Sequence, residues 1–416
     1  MSVLPEMSGR PPQLLGHRSF VIYWCVRVFT NGAFMMQAVA VGWQIYDLTG
    51  SALDLGLVGF VQFLPFVLLA VVVGPTIDRY DRRAILRICQ IVKALAALTL
   101  AAGTIGGWLT RDAFLTILFL TGIARTFEIP TLHALVPGLV PPQLLPRAIA
   151  AASTATQTAV ICGPAIGGLI YVFGAVTVYV ICSAIFLAAS VLISLVELRL
   201  PPVAKRPFTL QTVFAGFAYV KSRPILLGAM SLDLFAVLLG GVTALLPIFA
   251  KDVLQTGPWG LGLLRSAPAV GALTMSVWLA HHALERRVGT ILLAVTGVFG
   301  LSILVFSLST SLVLSLAALA IYGATDAISV VIRHSLVQTR TPNDMLGRVM
   351  AINSMFTGTS GTLGEFRAGV VAAMFGAVAS VMIGGFGAIA VAGLWLLLFP
   401  QLARVDTIAP PREPES

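Results

Sequence analysis

The chain reads as an all-α membrane protein, with twelve transmembrane helices in two pseudo-symmetric six-helix bundles. Three observations lead there. Of its 416 residues, 58% are hydrophobic and only 10% are charged, against roughly 25% charged in a soluble domain. Its mean hydropathy is +0.96. Twelve apolar runs are each long enough to cross the bilayer, which takes about 20 residues. The second half of the chain also repeats the first at a constant offset of 201 residues.

The first 19 residues are polar and carry no apolar core, so they do not form a signal peptide. The apolar run beginning near Phe20 is too long to be a cleaved signal and reads as a retained first span. With Gly, Pro and charge as punctuation, the spans fall near 19–46, 53–77, 84–108, 113–137, 147–172, 175–198, 224–250, 259–283, 288–309, 312–336, 347–373 and 378–399. Gly and Pro inside these runs do not argue against helix, because spans tolerate both and small residues let backbones approach. The units are an N-terminal bundle over 1–198, a linker over 199–223, a C-terminal bundle over 224–400 and a disordered tail over 401–416. In the linker, Leu210, Val213, Phe214, Phe217 and Val220 recur at helical spacing. That pattern fits an amphipathic helix on the inner leaflet or a soluble linker helix.

The net charge of +9 is read as a topology signal rather than a nucleic-acid footprint. With an inside N-terminus, the inside segments hold 18 of the 26 Lys and Arg residues, and the outside loops hold only Arg111 and Lys251. The other six (Arg27, Lys93, Arg125, Arg265, Arg333, Arg367) lie within spans. Both termini are therefore expected in the cytoplasm, in a bacterial inner membrane. Cys25, Cys89, Cys162 and Cys182 sit inside apolar runs without metal spacing and read as packing residues.

The repeat is clearest where 135–153 aligns without a gap on 336–354. Leu135/Leu336, Pro141/Pro342, Leu145/Leu346, Arg147/Arg348 and Ser153/Ser354 are identical pairs. An offset near half the chain means two halves in the same orientation, which is a transporter architecture with its site between them.

Residues 74–83, GPTIDRYDRR, resemble the major facilitator signature G-x-x-x-D-[RK]-x-G-[RK]-[RK] between spans 2 and 3. Gly74, Asp78, Arg79, Arg82 and Arg83 match, and Asp81 stands in place of Gly. AVICGPAIGG (159–168) resembles the antiporter signature of exporters through Gly163, Pro164, Gly167 and Gly168, a helix-bending and close-packing set; Ala159 replaces the first Gly. WQIYDLTGSALDLGLVG (43–59), TPNDMLGRV (341–349) and LGEFRAG (363–369) resemble the drug/proton antiporter subfamily that includes the enterobactin exporter and macrolide efflux proteins. The resemblance implies a monomer that moves a bulky amphiphilic small molecule, siderophore or drug-like, across the lipid bilayer. It uses no cofactor beyond the coupling proton. It also implies that Asp78 meets the cytoplasmic start of span 11, here marked by Arg348, when the inner side is shut.

Ionisable residues within spans cost at least about 2.5–3.5 kcal/mol on insertion scales and so have a partner or a task. Arg125 and Glu128 are spaced i, i+3 on one face of span 4, within ion-pair reach. Glu128 is the first candidate for the coupling proton, then Asp233, with Glu365 and Asp326 behind. Arg27 either binds an anionic substrate or pairs with one of these acids. Arg125, Arg367, Asn31, Gln37, Gln62 and Gln157 complete the substrate-binding candidates. No P-loop, HExxH, GxSxG or Cys/His cluster is present, so a membrane enzyme is disfavoured. A proton-coupled exporter is the leading reading; a lysophospholipid flippase or an importer is the alternative.

Overall fold

In a computed structural model, residues 14–197, 210–282, 284 and 286–407 are described. The first bundle holds α1 (Arg18–Thr49), α2 (Ala52–Arg79), α3 (Arg82–Gly106), α4 (Arg111–Leu135), α5 (Leu145–Ile170) and α6 (Ala175–Ser194). α7 (Leu210–Ser222) lies in the linker. The second bundle opens with α8 (Pro224–Gly240) and a short α9 (Leu246–Ile248), which runs into a π-helical turn over Phe249–Val253. It continues with α10 (Gly257–His281), α11 (Val288–Leu308), α12 (Leu312–Arg340), α13 (Asn343–Phe375) and α14 (Ala377–Leu398), followed by a single turn, α15 (Pro400–Ala403).

Counting Pro224–Val253 as one span, ten helices among the described residues are long and apolar enough to cross a membrane. α1 and α13, of 32 and 33 residues, have the length but carry more polar side chains. Together they make twelve crossings. An even number returns the chain to the end it started from, called here the terminal end; the other is the far end.

Local chemistry sets the helix boundaries. Ser51 caps α2 by accepting from the N–H of Asp54, and Thr110 caps α4 by accepting from that of Ala113. Asp81 caps α3 by accepting from the N–H of Arg83 at 2.9 Å. α1 ends at Gly50, which has a φ of 61°, the left-handed conformation glycine adopts freely. α8 stops at Gly240–Gly241 because the backbone of α13 passes there: a Cβ on Gly241 would lie 2.5 Å from the carbonyl carbon of Gly364.

Two expectations shift. Residues 401–407 belong to the fold rather than to a tail: Leu402 and Val405 are buried against α8, α11 and α12, and Arg287 N–H donates to Asp406. Burying two apolar side chains outweighs the polar character of the flanking residues; 408–416 lie outside the described residues. The linker forms α7, but its Val220 is buried against Leu226, Met230, Val337, Val349 and Ile352. That face packs on protein, so α7 is a docked helix rather than one lying free on a leaflet. Nothing is described of the side chains of Leu210, Val213 and Phe214.

Candidate functional site

Among the described residues, the side-chain hydrogen bonds and close backbone contacts between the halves lie in the far half of the molecule. Tyr46 of α1 hydrogen-bonds Asp252, and Lys251 pairs with Asp47. Ser266 of α10 donates to the carbonyl of Ile161 in α5 at 2.7 Å. Among the described residues these are the side-chain hydrogen bonds that join the halves. Glycines bring backbones together beside them. A Cβ on Gly262 would fall 2.5 Å from the carbonyl oxygen of Pro164, and one on Gly168 2.6 Å from that of Pro258. A Cβ on Gly56 would lie 3.1 Å from Gly369 Cα, and Phe60 stacks on Phe366 with ring centroids 4.8 Å apart. The antiporter-like segment of α5 is thus a two-sided packing surface. Gly163 and Gly167 press on Met35 and Met36 of α1, while Pro164 and Gly168 press on α10. The helix itself runs unbroken from Leu145 to Ile170.

At the terminal end the signature residues stand apart from the second bundle. Asp78 is exposed and makes no hydrogen bond or ion pair among the described residues. Arg348 reaches only Met345 Sδ, at 3.3 Å. Gly74 has nothing within 4 Å of a built Cβ. Arg79 lies near the Tyr80 ring, Arg82 donates to the carbonyl of Ala134 at the end of α4, and Arg83 holds Asp81 at 3.2 Å. Arg83 helps hold the Asp81 carboxyl below its usual range: burial alone would raise it, but the Arg83 hydrogen bonds and the charges of Arg83 and Arg87 outweigh that.

Inside the first bundle the expected Arg125–Glu128 pair is replaced by another. Lys93 of α3 donates to both oxygens of Glu128, at 2.7 and 2.8 Å, and Gln90 adds a bond of 2.7 Å. Lys93 also sits 4.4 Å from the centre of the Phe186 ring. Arg125 instead lies over Phe34, 3.6 Å from its centroid. The i, i+3 spacing put both side chains on one face, but a cation on the neighbouring helix reached the carboxylate first. Arg27 pairs with no acid among the described residues: it donates to Thr156 at 2.9 Å and to the Tyr23 hydroxyl at 2.7 Å. Asn31 donates to the carbonyl of Arg27 at 2.8 Å. Gln37 is buried with its carbonyl oxygen unpartnered, Gln62 lends backbone to the close approach of Gly122, and Gln157 is exposed.

In the second bundle Asp233 of α8 and Arg333 of α12 form a buried ion pair at 2.8 Å, and Arg333 also donates to Ser329 at 3.3 Å. Asp326 shares a small cleft with Asp233, Thr325 and Ser329 but makes no salt bridge among the described residues. Arg367 donates to the carbonyls of Leu238 and Leu239 at 3.1 and 2.6 Å. It thereby satisfies orphan acceptors at the broken end of α8, so it is committed to the fold. Glu365 is placed differently. Among the described residues it makes no salt bridge; it lies in the field of Arg265, and its Oε2 would be 3.0 Å from a Cβ on Gly59 of the opposite bundle. Arg265 likewise reaches across, its Nη2 3.1 Å from a Cβ on Gly42.

Sequence reasoning missed Lys93, Gln90, Arg265, Phe34 and Arg333 as members of these clusters. The signal available was the count of six cations within spans; what was missing was which faces meet.

A family profile described as transmembrane secretion effector matches residues 12–414. The enterobactin exporter EntS of Escherichia coli is 29% identical over 407 residues, covering 95% of each chain. Among solved structures, a bacterial homologue of the human lysosomal transporter Spinster superposes with a TM-score of 0.74 at 14% identity, covering 94% of this chain and 97% of that one. The nucleoside transporter NupG gives 0.73 at 13% identity, covering 92% and 99%. The fold is therefore that of the major facilitator transporters. With its full-length match, twelve crossings and two bundles meeting at one end, this multi-pass membrane chain belongs to the transmembrane secretion effector family, a family of transporters rather than enzymes.

Proposed function

We propose that the chain is a proton-coupled exporter of a bulky amphiphilic small molecule, siderophore or drug-like, in the bacterial cytoplasmic membrane. One observation carries the reading: among the described residues the hydrogen bonds and ion pairs between bundles lie in the far half, and Asp78 and Arg348 make none with each other at the other end. That asymmetry is one side of an alternating-access cycle. The Lys and Arg bias places the terminal end in the cytoplasm, so this state would take substrate from inside. The likeness to an enterobactin exporter supports outward transport and a siderophore-like cargo.

Glu365 is the best-placed proton carrier. A carboxyl that touches the opposite bundle changes its surroundings when the bundles part, and that is the property coupling needs. Glu128, held by Lys93 and Gln90 within one bundle, lacks it. One charge crossing 100 mV is worth about 2.3 kcal/mol, enough to drive a modest concentration gradient. The test is a panel of siderophores and amphiphilic drugs measured in a deletion strain. Loss of secretion of one class, restored by the wild-type gene, supports export. An unchanged profile with altered lysophospholipid distribution would favour the flippase reading.

A further inference from the structure

At the terminal end of the second bundle, α7, α8, α12, α15 and the turn that leads into α13 line an open cleft of about 550 Å³. Tyr219, Arg223, Arg340, Thr341, Pro342 and Gln401 line it. From these we infer that the cleft binds a phosphate group.

Four observations point the same way. Arg223 and Arg340 bring two positive charges, and neither forms a salt bridge among the described residues. Two helices start at the cleft. In α8 the N–H groups of Ile225 and Leu226 precede the first intrahelical bond, from Leu227 to Arg223. In α13 the first bonds run from Met345 and Leu346 to Pro342, and neither helix has a side-chain cap at its start. Helix starts carry partial positive charge and free donors, which suit an anion. Thr341 is only 6% exposed, yet its hydroxyl has no hydrogen-bond partner. The Nε of Arg340 is likewise buried without a partner. Buried polar groups are nearly always satisfied, so two orphans on one cleft wall call for a ligand.

The wall is also held in shape. Tyr219 donates to the carbonyl of Arg340 at 3.4 Å, and the Arg223 guanidinium lies 5.7 Å from the Tyr219 ring centre. Asp344, in the first turn of α13, is exposed and does not line the cleft. The required chemistry is a tetrahedral oxyanion with several acceptor oxygens, which a guanidinium fork and a hydroxyl can share. A phospholipid headgroup and free phosphate both present it, and the position at the helix ends admits either.

The experiment uses the full chain in neutral detergent, followed by thermal unfolding. The probes are inorganic phosphate, short-chain phosphatidylglycerol and short-chain phosphatidylcholine. Stabilisation by inorganic phosphate as strong as by the lipids identifies a soluble source, and stabilisation by the lipids alone identifies the headgroup. In either case R223Q/R340Q should weaken the apparent affinity at least tenfold. T341V, which leaves both charges in place, should weaken it several-fold. R286Q, an exposed arginine outside the cleft, should leave it unchanged. No stabilisation of the wild-type chain by any probe overturns the inference. So does equal stabilisation of the wild-type chain, T341V and R223Q/R340Q.

Discussion

Lys93 and Glu128 face each other across α3 and α4 with 2.7 Å between Nζ and Oε1, both buried. Removing one member of such a pair strands a charge in an apolar interior, which typically costs about 3–5 kcal/mol. K93M should therefore lower thermal stability sharply. K93M/E128L should recover most of the loss, because no lone charge remains. A double variant as unstable as the single one would show that the pair itself contributes the stability. A stable, correctly folded E128Q with no transport would return Glu128 to the role of proton carrier.

The far-end closure depends on glycine. A methyl on Gly262 meets the Pro164 carbonyl oxygen, and backbone cannot swing aside as a side chain can. Overpacking of this kind costs about 1–3 kcal/mol, and each ~1.4 kcal/mol shifts a two-state ratio tenfold. G262A should populate a state open at the far end. A cysteine at Ala52, beside the Gly56–Gly369 contact in a background lacking the native cysteines, should then react faster with an impermeant thiol reagent. Unchanged reactivity would mean the contact gives way without parting the bundles.

Asp78 makes no hydrogen bond or ion pair among the described residues, and we propose that it acts in the other state, with the inner side shut. D78N should lower transport several-fold while expression and membrane insertion stay normal. Transport at the wild-type rate would leave the segment with a topological role alone.

Arg367 holds the part-buried carbonyls of Leu238 and Leu239 where α8 breaks. R367M should cost about 1–3 kcal/mol, the penalty for leaving buried acceptors unmet, read as a drop in melting temperature. R367M of native stability but lacking transport would place Arg367 in substrate binding after all.

The fold was legible because it rests on length, periodicity and repetition. Span 7 was found despite its break, since Pro224–Val253 is strongly apolar on average even with Asp233 inside it. The close-packing role of Gly163, Gly167 and Gly168 was legible for the same reason: small residues matter wherever helices touch. Partner choice was not legible. Glu128 found Lys93 rather than Arg125 because helix rotation, which depends on all neighbours at once, decides which faces meet. Asp81 shows how local chemistry refines a motif. Where the facilitator pattern has Gly, this chain places an N-cap, with an extended backbone at φ −60° and ψ 118° that needs no glycine.

We propose that a proton on Glu365 is exchanged for substrate as the bundles part. The direct measurement is transport by the purified chain in liposomes, with and without an imposed pH gradient, for wild type and E365Q. Wild-type transport should rise several-fold with the gradient. E365Q should lose this response while still exchanging labelled for unlabelled substrate. Transport equally fast with and without the gradient, or an E365Q variant that responds like wild type, would contradict it.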